Sequence, residues 1–373
     1  MERAQKQLIL DDLPKKMVFL AGPRQTGKTW MAKEIAKEYS HPVYLNYDNI
    51  DHQKIINEHA WLDNTDLLIL DELHKMPRWK NYLKGLYDTK LGNLHILVTG
   101  SARLDLYHKV GDSLAGRYFL HHLLPISLAE LKQIGEPVDM HRLIERSGFP
   151  EPYLAETNLD AKRWRIQYTD SLIRIDVLDF NNIGNLRAIQ MIFELLRRKV
   201  GSPISYKSIA EDIQIAPNTV KKYIEILEAI YMIFRVTPFS INIARSLLKE
   251  PKIYFYDTGL VEGDEGVVFE NFVANALIKH VVAKIDYAAE RYQLKYIRTK
   301  DGREIDFSLV CDHKVKTVIE VKTNDKNPSL HLLWAQEKYQ FNAIQLVKNL
   351  RQEYKVKNID LRNPEKYLSE LML

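Results

Sequence analysis

The sequence predicts an α/β protein: a parallel-sheet core first, then a helical connection, a winged helix-turn-helix and a second α/β domain. Three observations predict it. A compact apolar run, Met17 to Leu20, stops at Gly22 and passes through a glycine loop into helical periodicity. Similar aliphatic runs then alternate with helix-length segments. Past residue 186 the rhythm changes to short helices broken by a turn, before strands return in the last third.

Lys16–Ala21 is the first strand, bounded by Pro14 and Gly22. From Lys28 onward Met31, Ile35 and Ala36 recur at helical spacing. Further strands fall at Val43–Tyr47, Leu67–Leu70 and His95–Thr99, and their alternation with helices requires a parallel sheet covered on both faces. Leu128–Leu131 and Ala161–Leu178 read as helices. Helices at Ala188–Arg197, Tyr206–Ile213 and Asn218–Ala229, the last opened by Pro217, precede the β-rich run Tyr231–Val236, which is the outline of a winged helix. A helix over Phe269–Val282 and strands at Leu294–Thr299, Glu304–Val310 and Val315–Lys322 complete the chain. The expected parts are therefore 1–125 (core), 126–185 (helical region), 186–240 (winged helix) and 241–373 (C-terminal α/β domain).

With 53 Lys and Arg against 49 Asp and Glu, the net charge of +4 fits neither a polycationic nucleic-acid coat nor an acidic tail. A single cysteine, Cys311, allows no internal disulfide and no thiolate metal cluster, so a reducing cytoplasm is the expected compartment. No run of about 18 uncharged apolar residues predicts a membrane span.

Gly22, Pro23, Arg24, Gln25, Thr26, Gly27, Lys28 and Thr29 match GxxxxGK[ST] between a strand and a helix. Glycines let successive N–H groups face inward, and the helix N-terminus adds positive potential, so the pattern suits a nucleotide triphosphate tail. Lys28 would reach the β and γ phosphates of ATP and Thr29 would bind Mg²⁺. Leu67 to Leu70 end in Asp71 and Glu72, where Asp71 can hold Mg²⁺ and Glu72 can orient and deprotonate the attacking water. Thr99, Gly100 and Ser101 close the next strand, with Ser101 either a sensor of the γ phosphate or a helix cap. Arg117, with Arg103 as rival, is the candidate for neutralising developing charge, in the same subunit or across the interface of a homo-oligomer.

The strings GPRQTGKT, LLILDE, VTGSA and LAGRY, in this order, resemble the AAA+ and related P-loop ATPases that carry an extra catalytic Glu beside the magnesium Asp. More narrowly, DELHKMPRW, SLAGRYF and GFPE make the chain similar to bacterial and archaeal predicted ATPases that join this core to a winged helix and a nuclease-like C-terminal domain. That resemblance covers nearly the whole chain and implies an AAA+ sheet order. His74 stands where the family more often has Gln, a departure next to the nucleotide that leaves Asp71 and Glu72 in place.

On the third helix of the winged helix, Asn218, Thr219, Lys221 and Lys222 could face DNA, but Glu225 and Glu228 cancel the lysines. In the C-terminal domain the alternation of Glu304 to Val310 puts Asp306 on a polar face, while Glu320 and Lys322 share a face one strand later. A hairpin around Asp312 and His313 would unite them, with Glu270 as a fourth member, and clustered carboxylates call for a divalent cation. This arrangement resembles the PD-(D/E)xK nucleases of restriction-endonuclease-like fold, with Asp306 as the first acid and Glu320 to Lys322 as the ExK element.

The expected function is an Mg²⁺-dependent ATPase whose nucleotide cycle moves the winged helix and the C-terminal domain. Two alternatives stay open: a metal-dependent nuclease for DNA or RNA under ATP control, and a nucleotide-gated DNA-binding regulator without turnover.

Overall fold

Met17–Ala21 (β1) and Leu67–Asp71 (β3) are buried at all five positions, which explains why these strands read as continuous apolar runs. With Pro42–Asn46 (β2), His95–Thr99 (β4) and Tyr118–His122 (β5) they form a parallel sheet in the order β2-β3-β4-β1-β5. Successive side chains leave opposite faces. One face packs Phe19, Leu68, Leu70 and Val98 under Ile56 of helix Ile50–Glu58 and Trp79 and Leu83 of helix Trp79–Thr89. The other packs Val18, Leu20, Ile69 and Leu97 under Ile9 of helix Gln5–Asp12 and Met31 and Ile35 of helix Lys28–Ala36. Because the strands are parallel, the ends of β1, β3 and β4 share one edge of the sheet, the edge at which such folds bind ligands.

The computed structural model describes residues 1–90, 92–100, 114–177, 185–240, 250–299, 302–325 and 327–373. The chain divides into two units, Met1–Pro125, which holds this sheet, and Ile126–Leu373.

The second unit carries a mixed sheet of eight strands: Ile233–Pro238 (β6), Lys252–Phe255 (β7), Tyr292–Arg298 (β8), Glu304–Cys311 (β9), Lys314–Lys322 (β10), Asn342–Val347 (β11), Tyr354–Val356 (β12) and Ile359–Arg362 (β13). Helices Leu186–Arg197, Tyr206–Ile213 and Pro217–Ala229 form where the periodicity predicts them, burying Ile189, Phe193, Ile209, Val220 and Ile224. Local capping explains their starts: the side chains of Asn185 and Ser205 accept from backbone N–H groups of the first turn, and Pro217 occupies the first turn of the third helix.

The strand expected as the wing behaves differently. β6 pairs antiparallel with β7, and its end, Thr237 and Pro238, pairs parallel with β8, so it extends the large sheet. A boundary at residue 240 would separate two paired strands. An isolated two-stranded ribbon is marginal in water, whereas pairing onto a larger sheet buries Ile233, Phe234 and Val236.

Helix Glu265–Ala288 starts earlier and ends later than its apolar pattern suggests, because Asp264 caps it through the Val267 N–H. By length and composition alone it could cross a membrane, yet 56% of its most apolar window is buried inside the protein. Its buried residues include Lys279, paired with Glu130, and Asn271, which bonds both backbone groups of Phe255.

Candidate active site

The phosphate-loop pattern folds into a tight turn that only its glycines permit at two points. Gly22 has φ 143°, and a Cβ there would lie 2.5 Å from the Leu123 carbonyl oxygen; Gly27 has φ 93°. The Thr26 hydroxyl donates to the Pro23 carbonyl at 2.9 Å. Lys28, only 7% exposed, folds its ammonium back over the loop and donates to the carbonyls of Gly22 at 3.0 Å and Pro23 at 2.6 Å.

Beside the loop, the Asp71 carboxylate is buried and surrounded by donors. Thr29 Oγ1 donates to Oδ2 at 2.9 Å, Tyr44 Oη donates to the same oxygen at 2.6 Å, and Thr99 Oγ1 donates to Oδ1. Burial first, and the bond to Asp71 second, push the Tyr44 phenol up to about 12, so it stays a donor. Thr29 and Asp71 offer a hydroxyl and a carboxylate at one point, an all-oxygen set of the kind Mg²⁺ prefers.

Glu72 leaves the strand in the left-handed region at φ 56°, a conformation that costs a non-glycine residue about 1 kcal/mol. Its N–H donates to the Thr99 carbonyl at 3.0 Å. Oε2 of Glu72 is buried and accepts no hydrogen bond among the described residues; His74 Nε2 lies 3.6 Å away and Lys75 Nζ 3.9 Å. Burial raises the pKa of this carboxyl, against the opposing charges of Lys75, Lys28 and Arg24. The departure at His74 thus puts an imidazole beside the Glu72 carboxylate.

Arg117 stands elsewhere. It precedes β5, its carbonyl accepts from Met17 N–H at the opening of β1, and its guanidinium forks onto Asp88 at 2.8 and 3.0 Å. The loop follows the far end of β1, and five strand residues span roughly 13 Å or more. Arg117 therefore does not reach the phosphate loop of its own chain, which corrects the same-subunit role. Ser101 and Arg103 lie outside the described residues.

In the second unit, Asp312 at φ 47° and His313 at φ 63° supply the two left-handed residues of a tight hairpin between β9 and β10. Its register pairs Ile319 with Phe307, and one step further sets Asp306 across from Glu320. Lys322 Nζ lies 3.0 Å from Glu320 Oε1, to which Ser329 Oγ also donates at 3.3 Å; Glu320 Oε2 is buried and accepts no hydrogen bond among the described residues. Asp306 Oδ2 accepts the Val321 N–H at 2.9 Å. Burial, and then the charge of Asp306, raise the Glu320 carboxyl to about 7.

The fourth expected member is engaged differently. Glu270 Oε1 accepts the Tyr254 hydroxyl at 2.6 Å and lies 3.6 Å from Lys252 Nζ. Lys252, 1% exposed, also sits 2.8 Å from Glu304 Oε1 and 3.8 Å from Asp306 Oδ1. Burial works against its charge, but Glu270, Asp306 and Glu304 outweigh it and raise its pKa. Among the described residues no group of three or more His, Cys, Asp or Glu is disposed to hold a metal ion. The three-carboxylate metal set of Glu270, Asp306 and Glu320 is thereby corrected: an internal ammonium, placed by β7, neutralises Glu270 and borders Asp306. The sequence reading gives no role in the cluster to Lys252, Tyr254 or Glu304, although a lysine opening the apolar strand Lys252–Phe255 is a signal that demands a buried partner.

On helix Pro217–Ala229, Asn218, Lys221, Lys222 and Glu225 are exposed. Glu228 is withdrawn from them by Arg235, whose Nε donates to it at 2.8 Å.

Residues 14–132 match the family described as AAA domain. Residues 138–263 and 265–363 match two domains of unknown function, DUF8612 and DUF4143. The "Uncharacterized protein Rv2008c" of Mycobacterium tuberculosis is 26% identical over 246 residues, 66% of this chain and 55% of the relative, so the chain spans about half the length of that relative. The "Uncharacterized protein MJ1637" of Methanocaldococcus jannaschii is 24% identical, covering 84% of this chain and 76% of its own. Among solved structures, the Walker-type ATPase PABY2304 of Pyrococcus abyssi superposes with a TM-score of 0.43 at 14% identity, over 69% of this chain and 93% of that one. A RuvB variant of Thermotoga maritima gives a TM-score of 0.34 at 18% identity, over 62% and 88%. Residues 14–132, which hold the five-stranded parallel sheet, are thus similar to the AAA domain family, and they are followed by two segments similar to domains of unknown function.

Proposed function

We propose that the first unit binds ATP with Mg²⁺ at Gly22–Thr29 and hydrolyses it, and that the nucleotide cycle acts on the second unit. The observation that carries this reading is the 2.9 Å bond between Thr29 Oγ1 and Asp71 Oδ2, which brings the loop and the strand-end acid to one point. Loop N–H groups and the helix N-terminus receive the phosphates, and Lys28 exchanges the Gly22 and Pro23 carbonyls for phosphate oxygens. Thr29 and Asp71 would hold Mg²⁺, which supplies charge neutralisation at the phosphates. Glu72 orients a water and takes its proton at Oε2, while the water oxygen bonds to the terminal phosphorus and ADP leaves. A carboxyl with a raised pKa is a stronger base for that step than an exposed one. Binding of a fluorescent ATP analogue to the wild type and Lys28→Ala tests the site: equal affinities would remove it.

A second reading places cleavage of DNA or RNA at Asp306, Glu320 and Lys322, under nucleotide control. It is favoured by Glu320 Oε2, a buried acceptor beside Asp306 without a hydrogen bond among the described residues. Incubating nucleic acid with the protein and Mn²⁺ or Mg²⁺, beside a Lys322→Ala control, tests it; equal cleavage in the two samples removes it.

A further inference from the structure

Arg3 lies just before the first helix and is 4% exposed. Its guanidinium donates from Nη1 to the Thr26 carbonyl and from Nη2 to the Leu124 carbonyl, both at 2.6 Å. One acceptor lies inside the phosphate loop. The other lies one residue before Pro125, where the first unit ends. A second grip runs beside this one, because Gly22 presses so closely on Leu123 that a Cβ would fall 2.5 Å from its carbonyl oxygen. Leu123 N–H also donates to the Ala21 carbonyl at 2.8 Å, immediately before the loop. The loop is thus held at its first and fifth residues to Leu123 and Leu124, the last backbone before the chain passes on to the second unit.

The chemistry of each grip makes it responsive to the loop. A planar guanidinium holds two carbonyls at a fixed separation, so displacement of one carries to the other, which a single-point ammonium would not enforce. Entry of a triphosphate must reorganise this loop, since Lys28 now satisfies the carbonyls of Gly22 and Pro23 and has to turn to the phosphates. Packed and hydrogen-bonded backbone transmits such a change when both ends bias one arrangement.

We infer that Arg3 is a positioning residue that couples occupancy of the phosphate loop to the Leu123–Leu124 backbone, the exit of the chain from the first unit. This rests on the reading of the loop as a nucleotide site. It gives the nucleotide cycle a mechanical output at a defined place.

The test is hydrogen exchange by mass spectrometry on a peptide covering residues 121–128 of the full chain, with and without ATP and Mg²⁺, in the wild type, Arg3→Met and Arg3→Lys. Binding of a fluorescent ATP analogue is measured on the same samples. The wild type is expected to bind and to exchange this peptide several-fold more slowly with ATP. Arg3→Met removes one charge-assisted bond to the loop and one to Leu124, and, with binding weakened by about a hundredfold at most as loss of the single loop bond implies, is expected to lose that ATP-dependent difference. Arg3→Lys keeps the charge without the fork and is expected to lose most of it, which keeps the test available should the methionine variant not fold. A merely structural Arg3 would raise exchange equally in both states and leave the difference intact. Binding with an unchanged difference in the variants, or no difference in the wild type, overturns the coupling alone; absence of binding by the wild type overturns the nucleotide site and the coupling with it.

Discussion

The Thr29 hydroxyl donates a 2.9 Å hydrogen bond to Oδ2 of Asp71, joining the first turn of the helix after the phosphate loop to the end of the third strand. Two residues 42 positions apart in the chain are thereby brought to one point. Parallel strands make this possible, because their ends collect at one edge of the sheet.

Thr99 holds the other oxygen of Asp71. Thr99→Val keeps the shape of the side chain and removes the donor, leaving the carboxylate held only through Oδ2 by Thr29 and Tyr44. Loss of a group that orients a metal ligand costs about tenfold or more in metal affinity. The Mg²⁺ concentration for half-maximal phosphate release should rise by about that factor. An unchanged Mg²⁺ titration would show that Thr99 does not position Asp71.

Lys252 is the internal cation of the C-terminal cluster. Lys252→Met leaves Glu270, Glu304 and Asp306 without it, and removal of one partner from a buried ionic group costs about 3–5 kcal/mol. Urea unfolding should show a loss of that order, and Mn²⁺ should stabilise the variant by more than it stabilises the wild type. A variant as stable as the wild type, indifferent to Mn²⁺, would contradict the assignment of Lys252.

His280 supplies a pH dependence. Its Nδ1 accepts the Met372 N–H at 2.9 Å, so the ring must carry a lone pair there. Burial depresses its pKa below the ordinary 6.5, with Lys284 adding to the effect and Glu290 opposing it, and the bond accepted from Met372 favours the neutral ring as well. Tyr292 presents only its ring, with centroids 6.1 Å apart. In that window this ring binds more protons in the unfolded chain than in the folded one, so its contribution to stability is complete above about pH 6.5 and falls as the pH drops through the folded value. Between pH 7.5 and about 5 the Glu320 carboxyl, raised to about 7, acts with the opposite sign, so the test is the difference between two proteins: as the pH falls, His280→Gln should gain stability relative to the wild type. Parallel slopes for the two proteins would remove His280 as the source of such a decline.

Local signals carried the first unit well. Continuous aliphatic runs mark β1, β3 and β4 because these strands are buried on both faces, and the glycines of the loop mark a backbone that other residues cannot adopt. The pairing of Asp306 with Glu320 was likewise visible, since alternation and one tight turn determine it. What stayed hidden depends on contacts distant in sequence. Arg3 binds carbonyls 23 and 121 residues away, and no pattern around it announces them. Tyr231 to Val236 looks like a wing because its place in the large sheet is decided by β7 and β8, not by its own residues. Lys252 sits on β7, a strand of four residues, too short for periodicity to declare. Arg117 lies in a motif, but the topology of β1 and β5 decides which end of the sheet it occupies.

The most direct measurement is phosphate release from ATP in Mg²⁺ by the wild type, Glu72→Gln and Lys28→Ala, with nucleotide binding followed on the same samples. A working active site predicts that Glu72→Gln still binds ATP while turnover falls by about a hundredfold or more, as loss of a general base implies, and that Lys28→Ala binds no nucleotide. Equal turnover in the wild type and Glu72→Gln, or no turnover in any of the three, would contradict it.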